Sequence, residues 1–189
     1  MKIAETYRKY IFCLEGDWED DLRDKSSIKA ALDFLHTNFD IKYTHRNCGT
    51  KESLIYYLNT WKSKSYKDYP ICYLAFHGKP GSIRLNDNER VSLDELGDLL
   101  KNKCKNKIIH FGCCESLDIN KAKLQEFLQK TQALCVCGFQ TEIDFLESSV
   151  FDMVVLYKLQ DYKDIKALDQ DLYKNYRKIR SKLNFKIAY

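Results

Sequence analysis

Apolar residues along this chain come in short unbroken runs separated by amphipathic stretches of one or two dozen residues. YIFCLEG (Tyr10 to Gly16), PICYLAF (Pro70 to Phe76), KIIHF and ALCVCGF (Ala133 to Phe139) are almost continuously hydrophobic. Strands covered on both faces have this character, because neither face needs to meet water. A shorter run around Ile41 to His45 reads as a further strand. Ser26 or Ser27 is placed to cap a helix with Ile28, Ala31, Leu32 and Leu35 at helical spacing. Thr50, with Glu52 in the first turn, opens another through Leu54, Tyr57, Leu58 and Trp61. Ser92 caps a helix over LDELGDLL, and LDINKAKLQEFLQKT forms the next. Two more run from Phe145 to about Leu159 and from about Lys166 to Leu183. After His77, GKPGSIRLNDNERVSL reads as a small hairpin, with Ile83 to Leu85 and Val91 flanking turn residues Asn86 to Asn88.

Strands alternating with helices imply βαβ units and a parallel sheet. The expected fold is a three-layer α/β/α arrangement with a mainly parallel central sheet, and residues 1–189 are read as one domain. Seven glycines and two prolines leave no room for a long flexible linker. A hydrophobic share of 44% with 31% charged residues belongs to a globular protein rather than a disordered one.

The net charge of +4 is spread among interleaved acids and bases. The local run Lys101, Lys103, Lys105 and Lys107 reads as a solvated helix end and loop, so no nucleic-acid partner is expected. No stretch approaches the ~18 apolar residues of a membrane span, so no membrane partner is expected. MKIAETYRKYIF lacks the apolar core and cleavage site of a secretory signal. Of eight cysteines, Cys13, Cys72, Cys135 and Cys137 lie within strand-like runs and read as small buried hydrophobes. Reduced thiols and a cytoplasmic location follow as expectations.

Two of the runs end on reactive side chains: ICYLAFHG on His77 and Gly78, KIIHFGCCES on Cys113 and Cys114. Parallel strands deliver their C-terminal ends to one sheet edge, where α/β proteins place their sites. A Cys–His pair is therefore expected there, 114 − 77 = 37 residues apart in the chain. A cysteine opening a helix would gain thiolate character from the N–H groups and the dipole. Amides around Gly78 and Cys114 are candidates for an oxyanion site. Taken singly, a strand-end histidine or cysteine is more often structural.

The order strand–HG, then strand–small–C–E–S, resembles the caspase-like cysteine peptidases, which include caspases, metacaspases, clostripain, gingipains, separase and the bacterial CHAT-type proteases. FGCCES is closest to the CHAT-type pattern. FCLEGDW, FHG, HFGCCES and GFQTEIDFLESS together also resemble a small bacterial family of uncharacterised caspase-like proteins. The resemblance spans roughly Tyr10 to Phe139, while the caspase pentapeptide QACRG is absent. It implies a cysteine endopeptidase acting on protein or peptide substrates without a cofactor, with catalytic residues His77, Cys114 and Gly78. A regulatory protein partner and a role as a regulated bacterial effector accompany that reading. Cys114 is favoured over Cys113 as nucleophile, because Cys113 continues the strand alternation towards the core.

In the resemblance, the pocket before the scissile bond draws on the loops after the first and last core strands. Here those loops carry Glu15, Asp17, Asp20 and Arg23, then Glu142 and Asp144. Acids outnumber bases, which favours substrates with Lys or Arg; a pocket built on Arg23 would favour Asp or Glu, and plain surface charge is the bland alternative. Trp18 is a pocket wall or a lid. The rival functions are a catalytically silent module, with FLESSVFDMVVLYKL as a partner face, and a metal site. The metal site would draw on His77, His110, Cys113, Cys114, Cys135 and Cys137, but no CxxC or HExxH spacing supports it.

Overall fold

The computed structural model describes residues 9–21, 23–86 and 89–189. The first eight residues of the amino-terminal segment discussed above, and the hairpin turn positions Asp87 and Asn88, lie outside the described residues.

Four apolar runs form the parallel heart of a six-stranded sheet: β1 (Ile11–Glu15), β3 (Ile71–Ala75), β7 (Ile108–Phe111) and β8 (Cys135–Phe139). β2 (Tyr43–Asn47) and β9 (Phe185–Ala188) complete it in the order β2-β1-β3-β7-β8-β9. All neighbours pair in parallel except β8 and β9. The register aligns Glu15 with Ala75 and Leu74 with Phe111, so the ends of β1, β3 and β7 share one edge.

Alternation along each central strand sends side chains to two separate cores. Phe12, Leu14, Cys72, Leu74, Ile109, Phe111 and Val136 face helices α2 (Lys51–Trp61), α3 (Leu93–Leu99) and α4 (Lys121–Thr131). Ile11, Cys13, Ile71, Tyr73, Ile108, Cys135 and Cys137 face α1 (Lys29–Phe39), α5 (Phe145–Asp161) and α6 (Ile165–Asn175). The short α7 (Arg177–Lys182) adds Ile179 to the second layer. Helices on both faces give the three-layer α/β/α architecture and account for the unbroken apolar runs.

Local chemistry sets the boundaries. Thr50 and Ser53 form a reciprocal capping box on α2, and Ser92 and Glu95 form one on α3. α4 begins at Lys121 with Asn120 as its cap, so the expected LDIN turn of that helix is instead a loop. α1 starts at Lys29, whose N–H donates to Ser27 Oγ at 3.1 Å, so one of the two serines expected to cap the helix does so from two residues before it. The Ile28 N–H donates to Glu15 Oε1 at 2.7 Å. The last helical stretch breaks at Tyr176, and the chain returns as β9, a strand the sequence pattern does not announce.

A second sheet lies beside the C-terminal edge. β4 (His77–Lys79), β5 (Ser82–Arg84) and β6 (Arg90–Ser92) run antiparallel in that order. β4 and β5 join through Pro80 and Gly81, whose φ of 72° suits a turn position that favours glycine. The hairpin read from the sequence thus gains a strand, and His77 is that strand's first residue.

Candidate functional site

His77 leaves the end of β3 and Cys114 the end of the neighbouring β7. The two line one cleft of about 350 Å³ with Gly78, Lys79, Arg84, Arg90, Glu115, Glu142 and Ile143. The structure therefore brings the expected pair to the same sheet edge and the same cavity.

The histidine is held in a defined tautomer. Its Nε2 lies 2.7 Å from the Trp18 carbonyl oxygen, which only accepts, so Nε2 carries the proton and Nδ1 keeps its lone pair in the neutral ring. The Trp18 ring packs edge-on to His77 at 5.4 Å and to Phe145 at 5.0 Å. Its indole N–H donates to Glu15 Oε1 at 2.6 Å. Trp18 does not line the cleft; it orients His77 from outside it, through its backbone oxygen and ring edge.

The two adjacent cysteines part company. Cys113 is fully buried in the core beside Leu74, and its Sγ donates to the Leu74 carbonyl at 3.1 Å. Burial pushes its thiol far above the ordinary range. Cys114 is half-buried and lines the cleft, with Sγ 3.8 Å from the Ile143 carbonyl. Its thiol pKa is also raised, first by burial and further by the nearby charges of Glu115 and Glu142. The expected helix-terminus activation is absent: α4 starts at Lys121, 121 − 114 = 7 residues on, and Cys114 sits in a turn. That turn is clamped by Glu115 N–H to Thr141 O at 3.1 Å and Leu117 N–H to Phe139 O at 3.0 Å. Glu115 itself adopts a left-handed φ of 50°.

Gly78 packs its backbone against this turn, since a Cβ there would lie 2.0 Å from the Cys114 carbonyl oxygen. The two-residue turn makes Lys79 and Ser82 a hydrogen-bonded pair. Alternation then makes Gly78 and Ile83 a non-bonded pair and turns the Gly78 N–H out of the ladder.

The expected substrate-pocket residues are mostly elsewhere. Glu15 is 2% exposed, and its carboxylate accepts from Trp18, Ser27, the Ile28 N–H and His45 Nε2 at 2.6 to 2.7 Å. Although burial opposes its charge, bonds from His45, Ser27, Ile28 and Trp18 hold its pKa below the ordinary value. Glu15 is a structural anchor, not a pocket wall. Arg23 pairs with Asp21 at 2.7 Å with its side chain 91% exposed, away from the cleft-lining residues. Asp144 caps α5 by accepting from Glu147 N–H at 2.9 Å. Asp17 is bound through its carboxylate and N–H to Asn86, and lines a separate recess with Trp18, Asp21 and Asp24. Asp20 is exposed. Of these loop charges only Glu142 reaches the cleft, where it and Glu115 lie 3.8 and 3.3 Å from Lys79 Nζ.

Arg84, Arg90, Lys79 and Glu115 were missed as site residues. The signal was present: Ile83 and Val91 point inward from their strands, so their neighbours Arg84 and Arg90 share the outward face with His77.

The residues weighed as metal ligands fall on both sides of the sheet, Cys113 in one core and Cys135 and Cys137 in the other. Buried His110 is engaged at both ring nitrogens, with Asp152 Oδ1 at 2.7 Å and Cys137 Sγ at 3.1 Å. Tyr73 OH donates to the other Asp152 oxygen at 2.6 Å. Among the described residues no three His, Cys, Asp or Glu side chains gather as a metal site, and no helix is long and apolar enough to cross a membrane. The α5 stripe weighed as a partner face is largely core, with Phe151, Val155 and Leu159 buried, while Leu146 and Val150 remain exposed.

A family model covers residues 8–189. The chain belongs to DUF6642, a family of unknown function. No curated protein matches it. The DUF6642 match spans every residue that lines the cleft, from His77 to Ile143.

Proposed function

We propose that this DUF6642 chain is a cysteine endopeptidase of the caspase-like type, with Cys114 as nucleophile and His77 as its general base and acid. One observation carries the reading. The only cysteine lining the cleft shares it with a histidine whose Nε2–H is anchored on a backbone carbonyl, which leaves Nδ1 as the proton acceptor. A parallel-dominated, helix-flanked sheet with His and Cys following neighbouring strands is also the arrangement that the caspase-like resemblance implies.

In this mechanism Nδ1 takes the Cys114 thiol proton as sulfur bonds to the peptide carbonyl carbon. The Gly78 N–H, outside its ladder, is a donor for the carbonyl oxygen as it gains charge. The tetrahedral adduct collapses as the imidazolium gives its proton to the departing amine, leaving a thioester. Water, deprotonated by His77, then releases the carboxylic acid and restores the thiol.

Cys114→Ala and His77→Ala should each abolish cleavage of a lysate proteome, with losses that do not add in the double variant, while Cys113→Ala cleaves. Fragment patterns identical between wild type and Cys114→Ala would refute the peptidase reading. A second reading, a catalytically silent module on the same fold, is favoured by the raised Cys114 pKa, and that result would establish it.

A further inference from the structure

The entrances of β3 and β7 lie side by side at the sheet edge opposite the cleft, where the Ile108 N–H donates to the Pro70 carbonyl at 2.8 Å. Two connections arrive there. One leaves the end of α2 through a 3₁₀ turn (Lys64–Tyr66) and carries Lys62, Lys64 and Lys67. The other leaves the end of α3 and carries Lys101, Lys103, Lys105 and Lys107. Along the chain the second run is a solvated helix end; the fold sets the first run beside it.

Two of these lysines staple the connections together. Lys62 Nζ donates to the Leu99 carbonyl at 2.6 Å. Lys107 Nζ donates to the Trp61 carbonyl at 3.2 Å and lies 4.5 Å from the centre of the Trp61 ring. The other five, Lys64, Lys67, Lys101, Lys103 and Lys105, are exposed and form no ion pair among the described residues. The positive charges crowd one another: burial lowers the Lys62 pKa, and the charge of Lys103 lowers it further. Asp68 is the one acid between Lys62 and Asp68 or between Leu99 and Lys107, and Asp98 before the second run pairs with Lys130 at 2.7 Å. Attraction to helix C-termini accounts for Lys62 and Lys101, which sit just past helix ends. It does not account for the rest, because the dipole fades beyond the last turn.

The neighbours of the five lysines indicate what they hold. Ser63, Ser65, Asn102 and Asn106 are exposed and interleave with them. Asn102 and Asn106 take left-handed φ values of 57° and 61°, which fold the second run around two tight turns. Lysines mixed with hydroxyl and amide groups are the donor set that grips a phosphate backbone. Neither run offers an exposed apolar side chain, since Cys104 is buried and Tyr66 packs on Phe12 and Tyr69. Insertion into a bilayer and the core of a protein interface both use such groups, and single strands are gripped by exposed aromatic rings. We propose that this edge binds the phosphate backbone of duplex nucleic acid without reading its sequence. The five residues of β3 span about 17 Å, so a duplex on this edge leaves the cleft at the other end open.

The probe is a fluorescein-labelled DNA duplex of about 20 base pairs, titrated by anisotropy in about 50 to 200 mM NaCl. Kd should fall in the range of about 1–100 µM, and the slope of log affinity against log salt should approach about −4.5 for five phosphates neutralised. The Lys103→Gln, Lys105→Gln double variant should weaken binding and cut that slope by about 2. The Lys174→Gln, Lys178→Gln double variant removes the same charge from exposed positions on α6 and α7 in the other helical layer, and it should change neither. Melting curves matching wild type establish that both variants fold. Iodoacetamide should label Cys114 at the same rate with the duplex bound. Absence of binding at the lowest salt, or an equal loss in the two double variants, overturns the inference. So does tighter binding to a single strand of the same length, to phosphatidylserine vesicles or to polyglutamate, and protection of Cys114 by the duplex overturns the placement.

Discussion

Gly78→Ala tests whether the candidate dyad is held by backbone contact. An alanine Cβ would lie 2.0 Å from the Cys114 carbonyl oxygen. A relaxed carbon–oxygen contact is about 3.3 Å, so the two backbones must separate by more than ~1 Å. Neither side yields freely. β4 is paired to β5, and the Cys114 turn is tied to Thr141 and Phe139 at 3.1 and 3.0 Å. The glycine's φ is not in the left-handed region, so the cost is steric rather than conformational. Overpacking of this kind costs about 1–3 kcal/mol, which lowers Tm by roughly 5 °C in a chain of this length. A displacement near 1 Å at a catalytic sulfur costs about 100-fold in rate. Gly97→Ala is the control: within α3, where alanine is the better helix former, its Cβ would meet only side-chain atoms, the nearest being the Lys130 stem at 3.1 Å. Melting curves and Cys114-dependent cleavage read both variants. A Gly78→Ala protein that melts with wild type and keeps its full rate would refute the close approach and the positioning argument built on it.

Three further outcomes follow from the same geometry. Iodoacetamide should label Cys114 before Cys13, Cys72 or Cys135, because only Cys114 of these is not fully buried; mass spectrometry showing the reverse order would contradict its placement. Its labelling rate should keep rising beyond the pH where an ordinary thiol levels off, since its pKa is raised; a plateau near neutral pH would reveal a preformed thiolate. Glu15→Gln should destabilise by about 2 kcal/mol, because an amide oxygen and NH₂ cannot accept from four donors. With a depressed folded-state pKa, Glu15 contributes stability above its unfolded pKa that is lost as pH falls through the folded value. Wild type should therefore lose Tm in acid more steeply than the variant, and parallel pH curves would show that the carboxylate is not the source.

The central strands and their direction were legible because burial on both faces writes itself as unbroken apolar runs. The sheet edge carrying His77 and Cys114 followed from that alone. β9 was not legible: FKIA is four residues long and follows a helix without a turn signal, and it becomes a strand only because β8 offers an open edge. β2 was displaced by two residues, since Ile41 is buried in the loop while the edge strand itself is half exposed. The loop charges misled for a related reason. Counting acids near a site says nothing of where they point, and Glu15 turned inward to anchor Trp18, His45 and the start of α1. The placement of Arg84 and Arg90 beside His77 was not legible because it depends on cross-strand register, which emerges only when three short strands pair.

The chemistry of Cys114 separates two ways of making a nucleophile. One stores a thiolate in the resting protein, which requires nearby positive charge or a helix N-terminus. Here burial and the charges of Glu115 and Glu142 oppose ionisation, and the helix that follows Cys114 in the chain starts seven residues on. The other way moves the proton during attack, and it needs a neutral imidazole with its free nitrogen facing the reaction. The Trp18 carbonyl enforces that tautomer by occupying Nε2–H. On the peptidase reading, a thiol that burial disfavours as thiolate would give up its proton to His77 only as a carbonyl receives the sulfur. Glu15, through Trp18, links the core of β1 to the hydrogen bond that orients His77, so on the peptidase reading a substitution at this residue outside the cleft should lower the rate of Cys114-dependent cleavage.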